Sequence, residues 1–182
     1  YFAYIHLLDP HGPYTPDPAD AALFVDPAYN GILRGSLRDF RRIPRLRKNP
    51  RELAQFIALY DAEIRGTDRD LGEFLDRLDR AGGLQGTHVI VTADHGEEFH
   101  DHGRMWHGQS VYGEMIRVPL ILWGPGRIAP GLRVDEPVEL VDIDFGHTGD
   151  EVAQPGVGQG GGQPFGGNRA EELAVLVVHD DA

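Results

Sequence analysis

The sequence predicts an α/β fold, a mostly parallel sheet flanked by helices, and three observations carry that reading. A long amphipathic stretch, Leu53 to Ala81, is followed directly by the apolar run Thr87 to Ala93, the order expected of a crossover helix feeding a buried strand. The other apolar runs are short and closed by glycine or proline turns. The composition, 41% hydrophobic and 25% charged over 182 residues, suits one globular core and neither a disordered nor a membrane chain.

The elements follow in order. Tyr1 to Leu8 reads as a strand that ends at Asp9-Pro10-His11-Gly12-Pro13, because proline removes a backbone donor and glycine frees the chain to turn. Tyr1 lies inside this strand-like run with no initiator methionine or polar lead-in, which predicts a segment of a longer protein. Pro16 to Lys48 is irregular, and its basic residues Arg38, Arg41, Arg42, Arg45, Arg47 and Lys48 form either a solvated arm or a patch that steers an anionic substrate. Leu53, Ile57, Tyr60 and Ile64, then Leu71, Phe74, Leu75 and Leu78, recur at helical spacing. Gly66 offers a kink and Gly82-Gly83 a stop.

After the strand Thr87–Ala93, a further strand is expected over Val118 to Trp123, and a shorter extended segment over Val134 to Ile143. Residues 154–167 are half glycine and read as a linker. Glu172 to Val178 reads as a last strand, or an edge strand paired with a neighbour. The division expected is 1–150 for the catalytic-type domain and 151–182 for the linker with its terminal strand.

Charge and composition exclude several functions. The formal net charge is −12, from 29 acidic and 17 basic residues, so broad nucleic-acid binding is not expected. No run of about 18 apolar residues exists to span a bilayer. The chain has no cysteine, which removes disulfides, thiolate sites and a cysteine nucleophile from these residues and leaves the compartment open.

The chemistry concentrates in THVIVTADHGEEFHDHGRMWHG, Thr87 to Gly108. Asp94 and His95 fall where a buried strand meets a glycine turn, the end of a strand where α/β sheets bind ligands. Together they offer a hard oxygen and an imidazole to a divalent cation. A structural alternative is equally available, with Asp94 capping the turn and His95 satisfied as an ordinary polar group. His100, Asp101, His102 and His107 follow within 12 residues of His95, a density that favours a metal or anion site.

Four ordered segments resemble the sulfatase family of the alkaline-phosphatase-like superfamily. HLLDPHGPY, His6 to Tyr14, is similar to the family's H-x-x-D-P-H-x-P-Y, and TADHGEEFHDHGRMWHG to its S/T-D-H-G-E metal-binding turn. YDAEIRGTDRDLGEFLDRLDRAG resembles the family's helix and MIRVPLILWGPG the strand after it. The resemblance implies the carboxyl-side part of a catalytic domain of the alkaline-phosphatase-like fold, in a protein that hydrolyses a small-molecule or saccharide sulfate ester. It implies Asp94 and His95 as ligands of a divalent metal, usually calcium. It also implies His11 at the sulfate and leaving group, and His107 where many sulfatases carry a lysine that contacts the sulfate. His6 and Asp9 are expected to shape the strand end, and His102 to sit at the rim or behind the ligands.

The family's nucleophile is a formylglycine, made from Cys or Ser in C/S-x-P-S-R. That motif is absent here, so the nucleophile is expected upstream and the segment alone is expected to be inactive; Ser36 and Ser110 lack the motif. Two other readings compete. Phosphate or phosphonate ester hydrolases and phosphoethanolamine-type transferases of the same superfamily share the Asp-His turn. A non-catalytic remnant would account for VDIDFGHTGD, Val141 to Asp150, which departs from the family's V-D-I-x-P-T-L.

Overall fold

The structure, a computed structural model, describes residues 2–40, 49–124, 126, 128–143 and 173–179. The chain divides into two compact units, Tyr1–Ile128 with Asn168–Ala182, and Ala129–Gly167. In the first unit the strands are β1 (Phe2–Leu7), β2 (Thr87–Ala93), β3 (Glu98–Phe99), β4 (Met105–Trp106), β5 (Leu120–Trp123) and β6 (Leu173–His179). The helices are α1 (Pro18–Phe24), α2 (Leu37–Phe40), α3 (Pro50–Arg80) and α4 (Gly113–Ile116). Described residues of the second unit, 129–143, form turns and a single 3-10 turn at Leu140–Asp142 where an extended segment is expected.

The expectation of a mostly parallel sheet is overturned. The four-stranded sheet has the order β1-β6-β2-β5, and each of its ladders, β1 with β6, β6 with β2 and β2 with β5, is antiparallel. The reason lies in β6, which enters between β1 and β2 and opposes both, so the strands that flank the long helix never pair with each other. β5 then returns beside β2 through the β3–β4 hairpin and α4, a connection that reverses direction without a crossover helix. β6 is therefore an interior strand of this sheet, not an edge.

α3 runs 31 residues without a break. Pro50 opens it behind Asn49, whose side chain accepts from Arg51 N, an N-cap followed by a residue with no amide proton to lose. It closes at Gly82, whose φ of 77° suits glycine, with Gly83 N bonded to Leu78 O at 2.9 Å. Gly66 does not kink the helix. It faces α1, where a β-carbon would reach ordinary contact with Asp20 Oδ2 at 3.4 Å, and Asp20 is ion-paired with Arg69 one turn on.

The buried stripe of α3 is rotated from the one the apolar spacing suggests. Phe56, Leu59, Tyr60 and Ala62 are buried together with Glu52, Gln55 and Glu63, whereas Ile64 is exposed. The helix reaches two cores. Its amino-terminal half packs with Tyr14, Leu33, Phe99 and Met105. Its carboxyl-terminal half places Leu71, Leu75 and Leu78 against Val89, Val91 and the inward Ala3, Ile5 and Leu7 of the sheet. The alternate residues Phe2 and Tyr4 are exposed, as the period of two requires.

Residues 41–48, the glycine-rich stretch and the boundary expected near residue 150 lie outside the described residues. Among the described residues no helix is long and apolar enough to cross a membrane.

Candidate functional site

Two segments build the site. β1 delivers the loop His11–Tyr14, and β2 delivers Asp94 and His95 at its carboxyl end, followed by the β3–β4 hairpin. Tyr14 is fully buried and anchors its loop by ring contacts with Phe56, Tyr60 and Phe99. Gly35, with φ of 78°, passes so close that a β-carbon would collide with the Tyr14 carbonyl, so only glycine fits there. On the other side Gly96 N donates to Met115 O at 2.8 Å, tying the Asp94–His95 turn to α4. The hairpin itself turns tightly, with His100 N bonded to Arg104 O at 2.8 Å and both His100 and Gly103 at positive φ.

These anchors bring three imidazoles into a row. The His11 and His107 rings are 5.4 Å apart, and the His107 and His95 rings 4.4 Å apart. His11 and His95 each set Nδ1 2.9 Å from a carbonyl, that of Gly12 and of Gly96 respectively. A carbonyl only accepts, so Nδ1 carries the proton and Nε2 is left for other work. His95 Nε2 lies 3.5 Å from Asp94 Oδ2, while Asp94 Oδ1 accepts from His95 N at 2.7 Å. One carboxylate oxygen is held by the following amide and the other stands beside the imidazole. The four residues singled out from sequence, His11, Asp94, His95 and His107, thus meet at one place.

Two buried acidic groups have no role assigned from sequence, although Glu97 is the glutamate of the D-H-G-E turn. Glu97 is 1% exposed, accepts from the Tyr14 hydroxyl at 3.3 Å and has Oε2 3.5 Å from His107 Nδ1. Glu63 on α3 is buried, and its carboxyl is pushed up to about 7, first by burial and then by the charge of Asp9; the Thr15 amide opposes the shift. An "EE" pair after a turn reads as solvated charge, and Glu63 lies beside the expected apolar stripe of its helix. The signal that could have found Glu63 is its spacing of four and seven from the buried Leu59 and Phe56.

Among the described residues, the group of three side chains able to hold a metal ion is Glu98, His102 and Glu114; Asp94 and His95 offer two ligands only. His102, expected at the rim, belongs to that group. Neither serine resembles an activated nucleophile. The Ser36 hydroxyl donates to Asp39, which also accepts from Arg34 N, and the Ser110 hydroxyl is buried with no hydrogen-bond partner.

Comparison with known proteins identifies the family. The chain is 42% identical to Arylsulfatase K of Bos taurus over 93 residues, 51% of this chain and 17% of that protein. The human Arylsulfatase K is 41% identical over 93 residues, with the same shares. Endo-4-O-sulfatase of Bacteroides thetaiotaomicron is 29% identical over 140 residues, 75% of this chain and 25% of that protein. The chain therefore spans about a sixth of the length of the arylsulfatases it matches. No solved structure matches it. The family model described as Sulfatase matches residues 1–149, so the chain belongs to the sulfatase family, within the alkaline-phosphatase-like hydrolases.

Proposed function

We propose that the full-length protein hydrolyses sulfate esters and that this chain supplies part of its metal and sulfate site. The observation that carries the reading is the row of His11, His107 and His95 beside Asp94 at the end of β2. Asp94 Oδ2 and His95 Nε2, 3.5 Å apart, are spaced as adjacent ligands of one cation, and His95 is held through Nδ1 as a ligating histidine is. A divalent metal there, calcium by the resemblance, would supply charge neutralisation for the anionic ester.

The chain's own residues then divide the work. His11, anchored through Nδ1–H on the Gly12 carbonyl, acts as the imidazolium, whose Nε2 proton passes to the leaving alcohol oxygen as the sulfur–oxygen bond breaks. His107, with Nδ1 beside the buried Glu97, acts as the imidazolium and stabilises a sulfate oxygen by hydrogen bonding. The nucleophile in this reading is a formylglycine in a part of the protein beyond this chain.

The test is hydrolysis of 4-nitrophenyl sulfate and 4-nitrophenyl phosphate by the full-length protein. The expected result is a kcat/KM at least tenfold higher on the sulfate, a mass change at the nucleophile diagnostic of formylglycine, and a loss of at least 100-fold in His11→Ala. A preference for the phosphate would replace the reading with a phosphoester enzyme.

A further inference from the structure

Glu98 on β3, His102 in the β3–β4 turn and Glu114 on α4 each bring one ligand atom within 4.8 Å of the others. Glu98 is 1% exposed. Its Oε1 accepts from His102 N at 3.1 Å and Arg104 N at 2.8 Å, whereas its Oε2 is buried with no hydrogen-bond partner. A buried carboxylate oxygen with nothing to accept is a cost that native proteins rarely leave standing, and a cation shared with His102 and Glu114 would remove it.

The other two members lie against each other. The His102 ring lies flat on Tyr112, with centroids 3.6 Å apart and planes 9° from parallel, and its Nδ1 is 2.5 Å from Glu114 Oε1. Ligand atoms around a tetrahedral ion with bonds of about 2.0–2.2 Å stand roughly 3.3 Å apart. That value falls between the 2.5 Å of the His102–Glu114 pair and the 4.8 Å that bounds the set. Rotation of the exposed His102 and the part-buried Glu114 about the fixed Glu98 closes the site.

We propose that Glu98, His102 and Glu114 form a cation site for a divalent transition metal of the zinc class, distinct from Asp94 and His95. One imidazole nitrogen with two carboxylate oxygens suits zinc, whereas calcium prefers a shell of oxygens. The exposed side leaves the fourth position to water. The consequence is mechanical: Glu98 and His102 precede the segment 107–112 and Glu114 follows it, so the ion fastens both ends of the stretch that carries His107.

Calorimetric titration of the whole 182-residue chain with zinc chloride, and in parallel with calcium chloride, tests this. Expected is one zinc ion bound far more tightly than calcium, with the Kd raised at least tenfold in His102→Gln and in Glu114→Gln. His102 is exposed and Glu114 part-buried, and circular dichroism checks that each variant keeps the helix content of the parent. Asp94→Asn is expected to leave this zinc affinity unchanged. The proposal is overturned if zinc does not bind, if the two glutamine variants bind it unaltered, or if Asp94→Asn abolishes binding. No sulfate ester enters the experiment, so its outcome is separate from that of the hydrolysis test.

Discussion

Around the amino-terminal half of α3, Phe56 and Tyr60 meet Tyr14, Phe99 and Trp106 ring to ring, with centroids 4.8 to 6.0 Å apart. Around its carboxyl-terminal half the partners are aliphatic, and only Leu84 and Val89 of that cluster are fully buried. The same helix therefore has a deep aromatic core at one end and a thin aliphatic layer at the other. The deep end is the one that carries the site: Tyr14 closes the His11 loop, and Phe99 and Met105 are the hairpin that leads to His107. Rigidity sits under the imidazoles, while the far half relies more on strand ladders.

Truncation is the strongest way to test that contrast. Phe56→Ala is expected to cost about 3–5 kcal/mol, since Phe56 is 1% exposed and its loss leaves a cavity between three rings; chemical denaturation measures it. If the thin half is as drawn, Leu75→Ala costs less, about 1–2 kcal/mol, because Leu75 is only part-buried. Equal costs would dissolve the distinction between the two ends.

Between these in size stands Glu63, a flaw in the deep core. Its carboxyl titrates at about 7 in the folded chain against 4.5 for the free group, so between those values the native state holds more protons than the unfolded one. Stability therefore falls as pH rises from about 4.5 to 7, and the full penalty persists above. Glu63→Gln is expected to stabilise the protein by about 1–3 kcal/mol at pH 8 and by little at pH 4.5, read as the difference in thermal midpoint at the two pH values. The smallest effect is expected at the helix start. Asn49→Ala removes the cap on Arg51 N and costs about 1 kcal/mol, with no change in the pH profile.

How much of this was legible in the sequence differs by element. The strand Thr87–Ala93 lies where its apolar run places it, and β1 and β5 fall within one or two residues of theirs, because short apolar runs bounded by glycine and proline are local signals. α3 is likewise set by its caps and spacing. The face it buries was less legible: Glu63 and Gln55 lie inside with Phe56 and Leu59, since neighbouring elements choose the buried stripe and polarity alone does not. Of the candidate site, Asp94 and His95 could be named from the strand end and its turn, and His11 and His107 from the family resemblance; Glu97, although part of the D-H-G-E turn, and Glu98 received no role, as charged pairs beside a turn read as solvent-facing.

By itself the sequence determined the positions of β1, β2, β5 and β6, the long helix with its two ends, and the concentration of histidines after β2. Those are properties of short stretches, governed by side-chain period, by proline and glycine geometry and by residue chemistry. Only the tertiary structure decided the pairing. Backbone hydrogen bonds are indifferent to the sequence distance between strands, so Leu173–His179 could take both free edges between β1 and β2 and make the sheet antiparallel. The same long-range packing, through Tyr14 and the Gly96–Met115 bond, brings His11 to His107 across 96 positions of chain, a distance that local pattern does not encode.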